Sequence, residues 1–141
     1  MADVPIYRKD FKLLADLPAD EARILLAKGK HQDAYYLAGY AVECALKACI
    51  AKKTKRFQFP AKADYVRRLY THELDKLLTL AGLDTQLEKD MAANKSFKEN
   101  WSTVKDWTEE SRYSTSQLNG KDMYNAVTGS DGVLPWIKLR W

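Results

Sequence analysis

Histidine and cysteine are scarce in this 141-residue chain, two of each, and proline and glycine are nearly as thin at four and six. Each shortage excludes something. His31 and His72 lie far apart, no Cys-x-x-Cys occurs, and no His, Cys and carboxylate spacing matches a metal site, so neither a metal nor another cofactor is expected. Cys44 and Cys49 are five residues apart, which on a helix turns them about 140° from each other, too far round to bond. Reduced thiols of a cytoplasmic protein are the expectation. The opening MADVPIYRKD has no apolar run after its basic positions, so no secretory signal is expected. No Gly-rich phosphate loop precedes a helix, since GSDG (129–132) follows one and lacks the lysine, and there is no nucleophile elbow.

Excess charge is lacking too. Twenty-three Lys and Arg against nineteen Asp and Glu leave +4, too little to imply nucleic-acid binding from the total, so clustering matters more. With 46% hydrophobic and 30% charged residues the composition is that of an ordinary folded domain, and the length suits one domain, residues 1–141, with a single core. The most apolar run, AYYLAGYAVECALKACIA (34–51), places Glu43 and Lys47 near its middle and is rich in alanine, which argues against a membrane span and for a buried helix.

That helix has distinguishable faces. Ala34, Ala38, Ala41, Ala45 and Ala48 alternate steps of four and three, a stripe of small side chains that admits another helix at close range. Tyr36, Tyr40, Glu43, Lys47 and Ile50 lie opposite. Glu43 precedes Lys47 by four residues, a pair worth only about 0.2–0.5 kcal/mol on an exposed surface. The tyrosines one turn away point instead to a half-buried polar cluster facing a ligand or partner, one expected to include Arg112 or Tyr113.

No convincing β-alternation, internal repeat or low-complexity segment is present, and the remaining punctuation is helical. A helix is expected at about 5–16 and another from Pro18 to a stop at Gly29; the central helix starts at His31 and runs to Lys52 or Lys53. THELDKLLTLAGL restarts a helix with Thr71 as cap and Gly82 as stop, SFKENWSTVKDW another with Ser96 as cap, and a last helix covers about 119–128. VLPWIKLRW forms a final short turn packed by its two tryptophans. The fold class is all-α, an up-and-down bundle of four to six helices. Between Lys52 and Tyr70 lies a basic and aromatic connection, Lys52, Lys53, Lys55, Arg56, Arg67 and Arg68 with Phe57, Phe59, Tyr65 and Tyr70. Such a mixture suits phosphates and stacked bases, or is a solvated loop.

Three fragments in order, DAYYLAGYAVECALKA with its A-x-E-x-x-L-K-A pattern (Ala41, Glu43, Leu46, Lys47, Ala48), THELDKLL with His72, and Arg112-Tyr113 before the last helix, resemble the HEPN superfamily of small helical bundles over roughly residues 8–128. The resemblance implies a bundle that commonly dimerises and is often paired with a nucleotidyltransferase-like protein in toxin–antitoxin or stress-response systems; a central helix nonpolar on nearly every face and an excess of aromatic residues likewise point to a two-fold dimer, with an interface of at least about 1,200 Å². The resemblance also implies, for many members, metal-independent RNase activity through an Arg-x(4–6)-His motif, in which histidine moves the proton and arginine holds phosphate. Arg67 and His72 match that motif literally but lie too early in the bundle, and no histidine follows Arg112. The candidate ligand-binding residues are therefore Glu43, Lys47, Arg67, Arg68, His72, Arg112 and Tyr113. Arg67 and His72 are the only candidates for catalysis. A structural role stands beside each: His72 starting its helix and packing between elements, Arg112 bonding helix-end carbonyls or an acid such as Glu43. The expected activity is binding of a nucleotide, RNA or partner protein by a homodimer, with no membrane association. An RNase and an accessory antitoxin-like subunit are the alternatives.

Overall fold

Alanine decides how the first two helices meet. The computed structural model describes residues 7–56 and 70–141, in which α1 spans Arg8–Ala27 and α2 spans His31–Arg56. The small stripe of α2 is fully buried at Ala34, Ala38, Ala41, Ala45 and Ala48, and α1 contributes Ala15, Pro18 and Ala22 to the core. Among the described residues no other two elements pack as extensively as α1 and α2.

The expected break between 16 and 18 is absent, since Pro18 sits inside α1 rather than at a helix start. Its missing N–H forfeits one backbone hydrogen bond, and burial of its ring against the core offsets that loss. The turn between α1 and α2 does fall where glycine placed it. Gly29 adopts φ 73°, the amide of Lys30 donates to Leu25 O at 2.9 Å, and that of Gly29 donates to Leu26 O at 3.0 Å. These are the paired bonds of a left-handed helix cap. Gly82, φ 74°, closes the third helix in the same way.

Beyond the hairpin come α3 (Leu74–Leu80), α4 (Asp84–Ala93), α5 (Lys95–Val104), a 3-10 turn (Glu109–Tyr113), α6 (Gly120–Thr128) and α7 (Val133–Lys138); α3, the 3-10 turn, α6 and α7 pack on α2, α5 packs on α6 and α7, and α4 packs on α5. The described residues form an all-α helical bundle with no strand, and none of their helices is long and apolar enough to cross a membrane. Several local expectations need correction. Residues 84–93 form a helix that periodicity did not signal, because Leu87 is its only buried residue. Asn94 rather than Ser96 caps α5, its Oδ1 accepting from Phe97 N at 3.1 Å. Thr71 caps no helix; its Oγ1 accepts from Glu73 N in the turn before α3. α2 runs on to Arg56. Of the basic connection, Phe57, Phe59, Tyr65, Arg67 and Arg68 lie outside the described residues.

A second close approach fixes the far side of α2. The indole of Trp107, 1% exposed, lies flat on Gly39, where an added Cβ would stand 2.2 Å from its Cδ1. Tyr36 packs on the same ring at 5.9 Å between centroids. Because Trp107 opens the segment leading to the 3-10 turn, this contact sets where Glu109 and Arg112 come to rest. Gly39→Ala should therefore destabilise the fold by about 1–3 kcal/mol through overpacking, although alanine is the better helix former by about 1 kcal/mol. Urea unfolding checks this, and a midpoint equal to or above that of the parent protein would contradict it.

Candidate functional site

Glu43 is the one polar or charged residue buried among the described residues, at 3% exposure. An ionised carboxylate withdrawn from water costs several kcal/mol unless charge and hydrogen bonds compensate. Two side chains supply both. Lys47 Nζ donates to Oε2 at 3.2 Å from one turn further along α2. His72, arriving from the turn before α3, places Nδ1 3.0 Å from Oε1 and 3.1 Å from Oε2. The exposed surface pair is thereby excluded.

The imidazole is engaged on both sides. Its Nε2 lies 3.2 Å from Oε2 of Glu109 at the start of the 3-10 turn, and His72 and Glu109 are 44% and 52% exposed, so this second contact faces solvent. A doubly protonated ring donates to both carboxylates, whereas a neutral ring can satisfy only one of them. Buried Glu43 holds the histidine from below, and Glu109 covers it from above.

Arg112 does not reach Glu43. Its guanidinium lies 5.6 Å over the ring of Tyr36, and Tyr36 stacks on Tyr40 at 6.1 Å. Burial raises the pKa of Tyr36, Arg112 pulls it down, and Glu43 and Glu109 push it up, so the phenol lies within electrostatic reach of all three. Tyr113 is 80% exposed and outside the bonded cluster, as is Tyr70 at 76%. Two buried polar atoms beside this layer, Trp107 Nε1 and Ser111 Oγ, have no hydrogen-bond partner among the described residues.

Among the sequence-derived candidates, then, Glu43, Lys47 and His72 are joined directly, Arg112 joins through the aromatic layer, Tyr113 stands apart, and Arg67 and Arg68 lie outside the described residues. Glu109 and Trp107 were missed. Nothing in TEESRY marks one glutamate as a histidine's partner, and a tryptophan next to a chain turn reads simply as core. Among the described residues no group of His, Cys, Asp and Glu is arranged to hold a metal ion. No protein-family model, curated protein or solved structure matches this chain.

Beneath the cluster, burial pushes the Cys44 thiol up to about 12 against a hydrogen bond with Tyr40 that lowers it, and burial also pushes Cys49 up to about 11. Burial is likewise the main cause of a raised pKa at Tyr40. A thiol held neutral in the folded state but free to ionise near 9 when unfolded contributes stability that is complete below pH 9 and lost as pH rises towards its folded pKa. Unfolding free energy should therefore fall above pH 9 by up to about 1.4 kcal/mol per pH unit for each thiol, and Cys44→Ala should make the fall shallower. Denaturant melts from pH 8 to 10.5 measure this; a flat profile, or the same slope in the variant, would contradict it.

Proposed function

We propose that this chain is a HEPN-like dimeric helical module whose Glu43–His72 face binds a phosphate-bearing ligand, a nucleotide or RNA. The observation that carries the reading is the junction of the two strongest resemblance fragments: the glutamate of A-x-E-x-x-L-K-A holds the histidine of THELDKLL at 3.0 Å. The third fragment supplies Arg112, on the ring of Tyr36 from the same helix. Separate chain segments thus meet at their polar residues, as a shared site requires.

The chemistry of the face suits an anion. His72 offers an N–H through Nε2, Arg112 a planar guanidinium able to donate in pairs to phosphate oxygens, and the exposed rings of Tyr70 and Tyr113 offer surfaces for a base. Glu109 occupies the outward nitrogen of His72 in the meantime. Being half exposed, it is displaceable, and an incoming phosphate would take over its hydrogen bond. Dimer formation is supported by Leu13, Leu17 and Ile24, exposed at 58%, 48% and 46% and aligned along α1. A partner protein, such as the nucleotidyltransferase-like subunits the resemblance implies, would use the same kind of apolar face.

One observation favours ribonuclease activity as a second reading. Carboxylate contact at Nδ1 orients His72, the usual arrangement of a histidine that moves protons.

Two-dimensional amide NMR of the protein titrated with nucleoside monophosphates at low salt tests the binding reading. Resonances of His72 and of 109–113 should shift, Arg112→Ala should weaken binding about tenfold, equivalent to about 1.4 kcal/mol, and Glu109→Gln should strengthen it. Light scattering at micromolar concentration should return the mass of two chains. An absence of shifts at millimolar nucleotide, or a monomer, would remove the corresponding half of the proposal. Cleavage of a short RNA in chelator, abolished by His72→Ala, would turn the first reading into the second.

A further inference from the structure

A second cluster of cations stands where the start of α1, the end of α2 and α7 come together, and the Glu43–His72 face does not use it. Arg8 donates through Nη2 to the main-chain oxygen of Trp141, while its buried Nε has no hydrogen-bond partner among the described residues. Lys12 and Lys138 both place their ammonium groups over the indole of Trp141, at 5.2 and 5.3 Å from its centre. Lys9 lies 5.8 Å over the half-exposed ring of Tyr7, and Tyr7, Arg8, Lys9 and Lys12 line an open cavity of about 370 Å³. Lys52 belongs to the same pole: the thiol of Cys49 feels Lys52, Arg140, Arg8 and Lys12 together.

Compensation here is incomplete. Lys138 is paired with Asp16 and Arg140 with Asp90, but among the described residues no carboxylate lies within ion-pair distance of Lys9, Lys12 or Lys52. Like charges drawn towards shared rings repel one another, and cation–π attraction of about 0.5–1 kcal/mol at such exposed sites offsets only part of that. An external anion with several charges would complete the arrangement.

We propose that this pole is a docking surface for the phosphodiester backbone of single-stranded RNA. The cations come from three separate elements, so they span more than one phosphate, and Tyr7 leaves a ring face for a base. A bilayer fits less well. The exposed Leu13 and Leu17 next to the pole are interleaved with Asp10, Asp16 and Asp20, which a flat anionic surface would meet and a single strand can pass between. The surface uses no residue of the Glu43–His72 face proposed above and is tested by its own variants.

Fluorescence anisotropy of a labelled 12-nucleotide RNA, in 50 to 200 mM salt, tests it. The parent protein should bind with an affinity that falls as salt rises. The triple variant Lys9→Ser, Lys12→Ser, Lys52→Ser should bind at least tenfold more weakly at 50 mM, with the magnitude of the logarithmic salt slope smaller by ~2, as three lost phosphate contacts require. A control with the same charge change, Lys95→Ser, Lys98→Ser, Lys105→Ser, should lose less than twofold. Two results would each overturn the assignment: no binding at 50 mM, or equal losses in both triple variants. Binding to phosphatidylserine vesicles without binding to RNA would overturn it in favour of a membrane surface.

Discussion

The carboxylate of Glu43 sets the terms for the middle of this bundle. It lies on the most deeply packed helix, shielded almost completely from water, where an unpaired charge would cost more than the net stability of many small domains allows. The chain answers with Lys47 from the same helix and His72 from the turn before α3. Replacing the ion pair by well-packed apolar groups of similar shape is often neutral or stabilising. The cluster therefore need add little net stability over an apolar core, and one side of it is open to solvent through His72 and Glu109.

Everything around the carboxylate serves its placement. Alanines let α1 lie close along one side of α2, and Gly39 lets the Trp107 indole lie against the other. Trp107 and Tyr36 then position the 3-10 turn, so that Glu109 meets His72 and Arg112 meets Tyr36. Gln32, near the start of α2, secures the strand of chain that follows: its amide donates to Ser114 O and Ser116 O at 3.0 and 2.7 Å and accepts from Leu118 N at 2.7 Å. Small residues, one aromatic wedge and one amide thus carry the polar groups of three segments to one face.

Much of the fold was legible because it follows from periodicity and punctuation. The alanine stripe, the stops at Gly29 and Gly82 and the all-α class are local facts, written in residue spacing. Pro18 misled because a proline is read as a helix start, while tolerance of one inside a helix depends on tertiary burial. The helix at 84–93 was invisible for the complementary reason, since it buries a single leucine and leaves no stripe to read. At the site, the tyrosine neighbours of Glu43 pointed to a half-buried acid, and the structure buries it further, to 3% exposure. Its actual partner could not be inferred, because choosing His72 over Arg112 requires knowing which turn comes within 3 Å of Oε1. The aromatic layer that separates Arg112 from the acid is likewise a product of packing.

The central claim is that Glu43 and His72 act as one unit inside the fold. A double-mutant cycle on urea stability, using Glu43→Gln, His72→Gln and the pair together, measures that most directly. For a buried carboxylate bonded to a partly exposed imidazole the coupling should fall between that of surface and fully buried pairs, about 1–3 kcal/mol, with the two losses far from additive. Additive losses, or single losses within error of zero, would contradict the account and return Glu43 to the role of an ordinary surface acid.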